Sequence, residues 1–248
     1  GTLNVLEACR SCPSVQSLTV ITTDKCYENH DEGRPFKETD PLGGYDLYSS
    51  SKACAEILCA SFRNSFLCEK GALRLGTARA GNVIGGGDFA DNRLVPDCIR
   101  ALISDSSVVV RSPLSTRPWQ HVLEPLYGYL TLARALYEGQ PSAEGAFNFG
   151  PDHDSVLTAG DVADLVTKLW GTGSVTKGTG IGFHEAALLS LDNRKARELL
   201  GIKPQLTVHE ALGLTVDWYR AWYQHEGSLR ALSLQQIEHY LNKAEQDD

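Results

Sequence analysis

The segment VITTDKCYENH, residues 20–30, decides the fold. It completes SLTVITT (17–23), a short run of apolar and β-branched residues typical of a buried strand in a parallel sheet. The run ends abruptly in a hydroxyl, a carboxylate and an ammonium on consecutive residues, Thr23, Asp24 and Lys25. Two explanations are open at this point: the strand simply emerges into water, or its carboxyl end presents three reactive groups to a substrate.

Strands and helices alternate on either side of this segment. Apolar periodicity predicts helices at 2–8, 45–66, 94–103, 122–137, 158–170, 193–200, 207–224 and 233–245. Further strands are predicted at 75–83, 108–111 and 146–150, with loops at 26–44 and 171–182. This alternation predicts an α/β fold with a parallel sheet, which loosens from about residue 84 into a smaller mixed α/β lobe.

The composition is that of an ordinary globular protein. The chain has 248 residues, 42% of them hydrophobic, and a net charge of −8 without a long basic run. We therefore expect neither nucleic acid nor an anionic membrane as its main partner. No apolar run approaches the roughly 20 residues of a membrane helix, and the start lacks a secretory signal. The chain begins with Gly1 inside a helical pattern and contains no methionine, which suggests a fragment or a processed chain.

The cysteines are odd in number and mostly lie within apolar periodic segments. This usage indicates buried thiols in a reducing compartment, so we expect a cytoplasmic protein. One pair has Cys-x-x-Cys spacing, but no second pair follows at the spacing of metal ligands, so we expect no metal. The seven positions are 9, 12, 26, 54, 59, 68 and 98.

Tyr48 and Lys52 are four residues apart in YDLYSSSK and face one side of the predicted helix 45–66. A free phenol has a pKa of about 10 and is a poor base at neutral pH. An ammonium held beside it stabilises the phenolate, so the pair could accept a proton from an alcohol while a hydride leaves the same carbon. By itself the spacing is most often that of a surface pair. Here a strand that ends in hydroxyl residues precedes it, followed by a loop and the helix.

That order is found in short-chain dehydrogenase/reductases, where a Ser or Thr, a Tyr and a Lys meet around the nicotinamide. Six motifs together resemble the extended members of this family, which act on nucleotide sugars, and look most like the CDP-glucose 4,6-dehydratases. They are VITTDKCYEN, GGYDLYSSSK, RAGNVIGGGD, RLVPD, RPWQHVLEP and NFGP. The resemblance extends over nearly the whole chain and implies a Rossmann-like fold, NAD as cofactor and CDP-glucose or a related nucleotide sugar as substrate.

The sequence departs from the family in its amino-terminal part. The G-x-x-G-x-x-G turn and the acidic residue that binds the adenosine ribose are not in it, and the loop 85–88 lacks their spacing. We therefore expect residues 1–83 to be the carboxyl-terminal part of the dinucleotide-binding domain. Residues 84–248 would form the nucleotide-sugar lobe, with a segment at about 108–150 returning to the sheet.

The resemblance also implies a reaction that the opening segment could serve. Oxidation at C4 of the sugar acidifies the C5 hydrogen, a base removes it, and an acid protonates the departing C6 hydroxyl. By resemblance, Thr23 hydrogen-bonds the sugar 4-hydroxyl and Asp24 is that acid. Lys25 would be the base at C5. Asp24 must then be neutral, through burial, and Lys25 must be unprotonated.

Further site residues follow from the same resemblance. Those expected to contact the cofactor are Thr22, Tyr48, Lys52 and Ala80. Those expected to bind the substrate are Asn82, Arg93, Arg117 and His184, the arginines because guanidinium forks fit phosphates. Arg111 is equally compatible with a structural role. The aromatic residues of the tail helix, Trp218, Tyr219, Trp222 and Tyr223, are predicted to be core packing.

Two alternatives remain open from the sequence. A nucleotide-sugar epimerase or reductase of the same family would need Tyr48 and Lys52 but neither Asp24 nor Lys25. A truncated, inactive chain would serve as a nucleotide-sugar-binding or oligomerisation module. The family pairs through two long helices, so we expect a homodimer that uses the helix 45–66 and the helix at the start of the chain.

Overall fold

The structure, a computed structural model, describes residues 1–30, 33–67, 73–152, 156–178 and 189–246. The chain forms two compact units, each assembled from three stretches of sequence. Unit 1 comprises Gly1–Gly81, Pro125–Gly150 and Leu189–Lys203. Unit 2 comprises Asn82–Glu124, Pro151–Leu188 and Pro204–Asp248.

Unit 1 contains a parallel sheet in the order β1-β2-β7, built among the described residues from Ser17–Ile21, Arg74–Ala80 and Gly145–Phe149. Its helices are α1 (Thr2–Arg10), α2 (Leu47–Phe66), α4 (Leu123–Tyr137, which begins in unit 2) and α6 (Arg194–Leu200). The predicted α/β fold is confirmed. β1 and β2 run parallel, and Ile21 pairs with Ala78. The carboxyl ends of the two strands therefore lie at the same edge of the sheet.

Both faces of this sheet are covered by helices. Leu75 of β2 packs in a core with Leu6 of α1 and Phe62 of α2. Ala78, an odd number of residues further along the strand, points to the opposite face and packs against Leu132 of α4. β2 is accordingly buried along almost its whole length.

Unit 2 mixes short strands with helices. Its strands are β3 (Val83–Ile84), β4 (Val108–Val110), β5 (Thr116–Pro118), β6 (Gln120–His121), β8 (Val156–Thr158) and β9 (Val175–Lys177). They pair as β3 with β6 and β4 with β9, both parallel, and β5 with β8, antiparallel. The helices are α3 (Leu94–Ile103), α5 (Ala159–Trp170), α7 (Val208–Gln224) and α8 (Leu229–Gln246). Side chains of α3, α5 and α7, including Ile99, Val166 and Leu212, form its core.

Several helix ends lie where sequence signals predict them. Thr158 and Thr207 cap α5 and α7 through reciprocal bonds with the acidic residues three positions on, Asp161 and Glu210. Gly201 ends α6 in the left-handed conformation at φ 70°. Helix α2 begins at Leu47 rather than at Tyr45, because the Asp46 carboxylate accepts the Ser49 amide and caps the helix there.

Two predicted elements are wrong in detail, and a third carries a local contact. The strand predicted at 75–83 is interrupted after Ala80: β2 pairs with β1 and β7, whereas β3 pairs with β6. Part of the predicted loop 171–182 is the strand β9, whose Val175 pairs with Val108. In the described part of the predicted loop 26–44, a bridge joins Tyr27 to Leu42.

The cysteines fit the predicted pattern in part. Cys26, Cys59 and Cys98 are buried free thiols, but Cys12 and Cys54 are exposed. Burial raises the pKa of Cys26 to about 12, which makes it a poor nucleophile at neutral pH. None of the helices in the described part of the chain is both long and apolar enough to cross a membrane.

Candidate active site

The residues that follow β1 are largely buried. Thr22, Thr23 and Asp24 are 8%, 7% and 4% exposed, and only Lys25 of this segment reaches solvent. A strand that merely emerges into water does not bury a carboxylate, because burial removes its hydration. The explanation of a simply solvated strand end therefore does not fit Asp24.

Thr23 fixes the conformation of the segment. It caps a short 3-10 turn, Asp24–Cys26, and its Oγ1 accepts the Lys25 amide at 3.4 Å. The same hydroxyl donates to Oδ1 of Asp24 at 3.0 Å. The hydroxyl and the carboxylate predicted to act on the sugar are thus in direct contact.

Helix α2 brings the ammonium of Lys52 to this strand end. The Lys52 ammonium donates to the Ile21 carbonyl at 3.4 Å, one residue before Thr22. Tyr48 lies one helical turn earlier on the same face and is 52% exposed. A half-exposed phenol one helical turn from Lys52 is accessible to a bound alcohol, as the predicted chemistry requires.

A second link joins Lys25 to the start of α2. The pKa of Asp46 is lowered, first by the hydroxyl and amide hydrogen bonds of Ser49 and to a smaller extent by the positive charge of Lys25. Asp46 lies two residues before Tyr48. Lys25 therefore lies within electrostatic reach of the end of α2 that carries the phenol.

A buried ion pair lies behind these groups, and sequence reasoning missed it. Glu56 and Arg79 are 3% and 2% exposed, and Arg79 Nη2 lies 2.8 Å from Glu56 Oε2. Glu56 Oε2 also accepts the hydroxyl of Thr77 at 2.7 Å, and Oε1 accepts the hydroxyl of Thr22. Burial by itself would raise the pKa of Glu56, but Arg79 and the two hydroxyls together hold it below its ordinary value.

The network continues from Arg79 into the loop after β1. Arg79 Nη1 donates to the Tyr27 hydroxyl at 2.7 Å, and that hydroxyl donates to Asn148 Oδ1 at 2.7 Å. The Asn148 amide nitrogen in turn donates to the carbonyl of Phe36, whose ring stacks on Tyr27 with centroids 4.8 Å apart. The signal for this network was a charged residue inside a buried strand, because such a charge requires a partner.

Two predicted cofactor contacts lie at the carboxyl ends of the strands. Ala80 ends β2 and is 8% exposed. Thr22 uses its amide to bind the Ala78 carbonyl at 2.8 Å and its hydroxyl to bind Glu56. Its side chain therefore points into the protein.

Three of the four predicted substrate residues are described, and all three belong to unit 2. The Asn82 carbonyl accepts the amide of Gln120 at 3.1 Å, so Asn82 lies beside β6. Arg117 belongs to β5, and its Nη1 donates to the Thr116 carbonyl at 2.7 Å. Arg93 is exposed and lies 3.4 Å from an Asp88 carboxylate oxygen. His184 lies outside the described residues.

Arg111 is an exposed neighbour of the Arg93 segment. Its Nη2 donates to Asn92 Oδ1 at 3.4 Å. Arg93 and Arg111 therefore flank the same asparagine, and neither is buried. This position is compatible with both roles considered for Arg111.

The loop 85–88 has a structural role, because it packs on the helix α7. A Cβ on Gly86 would lie 2.1 Å from Trp218 Cγ, so a glycine is required there. Tyr219 is fully buried and donates its hydroxyl to the Asp88 carbonyl. The prediction of core packing is thus confirmed for Tyr219, whereas Trp222 and Tyr223 stay 37% and 46% exposed.

Comparison with known proteins supplies relatives for both units. The chain is 42% identical over 98% of its length to the CDP-glucose 4,6-dehydratase of Salmonella typhimurium and spans 68% of that protein. It is 25% identical over 90% of its length to the dTDP-glucose 4,6-dehydratase of Streptomyces griseus and spans 65% of it. The chain thus covers about two thirds of these two relatives.

Solved structures confirm the fold. The dTDP-glucose 4,6-dehydratase of Bacillus anthracis, in complex with NAD, superposes with a TM-score of 0.73 at 19% identity, covering 88% of this chain and 66% of that one. A UDP-N-acetylglucosamine 4-epimerase from Methanobrevibacter ruminantium gives 0.75 at 19% identity, covering 89% and 68%. The sequence model of the NAD dependent epimerase/dehydratase family matches residues 1–150. This match covers more than half of the chain, and the chain therefore belongs to the NAD dependent epimerase/dehydratase family.

Proposed function

We propose that the protein containing this chain is an NAD-dependent lyase that converts CDP-glucose to CDP-4-keto-6-deoxyglucose. The observation that carries this proposal is the 42% identity, over 98% of the chain, to a CDP-glucose 4,6-dehydratase. The buried Asp24, in contact with Thr23 at the strand end, supports a dehydratase over an enzyme that only oxidises, because water elimination needs a further acid.

The residues present fit the family's cofactor. Ligands of open parallel sheets bind beyond the carboxyl ends of the strands, where Thr22 and Ala80 lie. Lys52 reaches the same strand end from α2, and Tyr48 lies one turn earlier on that helix. These four residues would hold the nicotinamide side of NAD. When bound, NAD⁺ supplies the acceptor for a hydride from C4 and returns that hydride to C6.

Tyr48 is proposed to move the proton of the sugar 4-hydroxyl. Thr23 holds that hydroxyl, and Tyr48 takes its proton as the carbonyl forms. Lys52 stabilises the phenolate by its charge, from a position fixed by the Ile21 carbonyl. The resulting ketone at C4 acidifies the hydrogen at C5.

Asp24 and Lys25 are proposed to perform the elimination. Lys25, as the free amine, removes the proton from C5, and Asp24, as the neutral acid, protonates the C6 hydroxyl as it leaves as water. A proton then returns to C5. Asp24 is 4% exposed and in contact with the Thr23 hydroxyl, so the proposed acid lies away from bulk solvent beside the group that holds the sugar.

The substrate's nucleotide part is proposed to bind to unit 2. Asn82, Arg93 and Arg117 are the residues proposed to hold the diphosphate, with His184 as a further contact. Guanidinium groups bind phosphate oxygens through paired hydrogen bonds. Arg93 reaches solvent, and a bound phosphate would compete with Asp88 for its guanidinium.

We also propose a cytoplasmic homodimer. Its support is the apolar surface of the two helices predicted to pair. Leu3 and Val5 of α1 are 45% and 51% exposed, and Ile57 and Phe66 of α2 are 53% and 52% exposed. Exposed apolar side chains are thus present on both helices and would lose contact with water in such an interface.

The proposed function is tested by incubating the protein with CDP-glucose and NAD⁺ and following a keto sugar by its absorbance and by mass. We expect a product lighter by one water. Formation of a C4 epimer alone would contradict the dehydratase and favour the epimerase. Calorimetry that shows CDP-glucose binding without NAD⁺ binding would instead favour the inactive module.

A further inference from the structure

Consecutive turns of α2 contact consecutive residues at the end of β1. Lys52 donates to the Ile21 carbonyl, and Glu56, four residues later on the same helix face, accepts the hydroxyl of Thr22. The proposed reaction uses Lys52 but assigns no role to Glu56. Glu56 lies behind the reacting groups, 3% exposed, and does not reach the surface.

The position of the Glu56 carboxylate is set by β2. Its Oε2 accepts from Thr77 at 2.7 Å and from Arg79 at 2.8 Å, and both donors lie on that strand. A buried carboxylate held by an ion pair and two hydroxyls cannot turn to water without losing these bonds. Glu56 thus links Thr22 to β2, the middle strand of the sheet, through hydrogen bonds.

Thr22 connects β2 to the turn that follows β1. The Thr22 amide bonds to Ala78, and the next turn is closed by the weak bonds of Lys25 N and Cys26 N to Thr23, each 3.4 Å long. A loss of the Thr22 side-chain anchor therefore affects the segment that carries Thr23, Asp24 and Lys25. Tyr48 and Lys52, by contrast, are positioned by α2.

We propose that Glu56 is a positioning residue: through the hydroxyl of Thr22 it sets the distance between the Thr23–Lys25 segment and the Tyr48–Lys52 face of α2. This inference rests on the proposed function, in which Asp24 and Lys25 of the first group perform the elimination and the second group assists the oxidation. It assigns to the Glu56–Arg79 pair a role in catalysis beyond holding the sheet together.

Two isosteric substitutions separate positioning from stability. Thr22→Val and Thr77→Val each remove one hydroxyl from the same carboxylate and keep the ion pair and the β-branched shape. We expect similar decreases in the unfolding midpoint for both. In Thr22→Val we expect kcat to fall about 10-fold or more, with KM for CDP-glucose unchanged, because a small displacement of reacting groups is costly. In Thr77→Val, Arg79 still holds Glu56 Oε2 and Glu56 still accepts from Thr22, so we expect kcat to stay within about twofold of the unsubstituted protein.

Isotope effects show which step is slowed. With CDP-glucose deuterated at C5, Thr22→Val is expected to give a larger isotope effect on kcat than the unsubstituted protein. With CDP-glucose deuterated at C4, Thr22→Val is expected to give a smaller isotope effect on kcat than the unsubstituted protein. A substitution that only reduces the fraction of folded protein leaves both isotope effects unchanged. Equal kcat values and isotope effects in the two variants would overturn the proposal, and so would a loss of NAD⁺ affinity confined to Thr22→Val.

Hydrogen exchange tests the same inference without turnover. The amides of Lys25 and Cys26 should exchange faster in Thr22→Val than in Thr77→Val. If the unsubstituted protein forms no keto sugar, the proposed reaction fails, while the exchange comparison still decides the positioning. If the keto sugar forms and both variants exchange alike, the positioning alone is wrong.

Discussion

The side-chain nitrogen of Lys52 lies 3.4 Å from the carbonyl oxygen of Ile21, the last residue of β1. This contact joins a helix and a strand whose residues are 31 positions apart in the sequence. It directs the ammonium to the carboxyl end of the sheet, one residue from Thr22. The position of Lys52 is therefore a consequence of how α2 packs on β1.

A first prediction concerns Lys52→Met. The substitution keeps the helix-compatible shape and removes the charge that stabilises the phenolate of Tyr48. We expect kcat for keto-sugar formation to fall about 100-fold or more, the range for loss of a group that assists proton transfer. Steady-state kinetics with CDP-glucose measures it. Lys37→Met, at an exposed lysine, is the matched control and should leave kcat unchanged.

A second prediction concerns the ion pair of Glu56 and Arg79. Glu56→Gln leaves a buried guanidinium without its charge partner, so we expect the free energy of unfolding to fall by about 3–5 kcal/mol. The double variant Glu56→Leu, Arg79→Met removes both charges and should be clearly more stable than Glu56→Gln. Urea denaturation of the three proteins measures these differences. A double variant less stable than the single one would contradict the account of an uncompensated charge.

Local patterns predicted the elements of this fold better than their connections. The apolar period of α2, the Thr158 and Thr207 caps and the Gly201 stop each depend on residues a few positions apart, so the sequence alone contains the required information. The partners of Glu56 depend on the register of β1 and β2, which pairs Val20 with Thr77. That register is not visible in a local pattern.

The residues of the candidate site also differ in how far the sequence predicted them. Tyr48 and Lys52 were found by their helical spacing, and the sequence of motifs carried the assignment of Asp24. Arg79 was quoted within the motif RAGNVIGGGD, yet its role was not recognised, because its ion-pair partner Glu56 lies 23 residues away. The break after Ala80 was also missed, since β2 and β3 continue in sequence but pair with different strands.

A third prediction concerns Gly86 in the loop 85–88. Its added Cβ in Gly86→Ala would lie 2.1 Å from Trp218 Cγ, so the loop or the ring must move. We expect a loss of about 1–3 kcal/mol in the free energy of unfolding, the usual cost of overpacking. Gly213→Ala, inside α7 with open space around its Cβ, is the control and should stabilise by about 0.5–1 kcal/mol. Thermal unfolding of both variants gives the comparison.

A fourth prediction concerns acid stability and His121. Burial lowers the pKa of His121 from 6.5 to about 4, and its Nδ1 accepts the Leu123 amide, a bond that protonation breaks. The unfolded chain therefore binds a proton between pH 6.5 and 4 that the folded chain does not, so folded stability falls as pH falls through this window. The shift corresponds to about 3 kcal/mol.

The substitution His121→Asn tests this contribution, because the asparagine oxygen can accept the Leu123 amide but does not titrate. As the pH falls from 6.5 to 4, we expect the free energy of unfolding to decrease less steeply in the variant than in the unsubstituted protein. The two slopes should differ by the amount that corresponds to about one bound proton. Denaturation curves at closely spaced pH values measure the two slopes. Equal slopes in this window would mean that His121 is not the group whose protonation opposes folding there, whereas a difference confined to pH above 7 would assign the effect to another group.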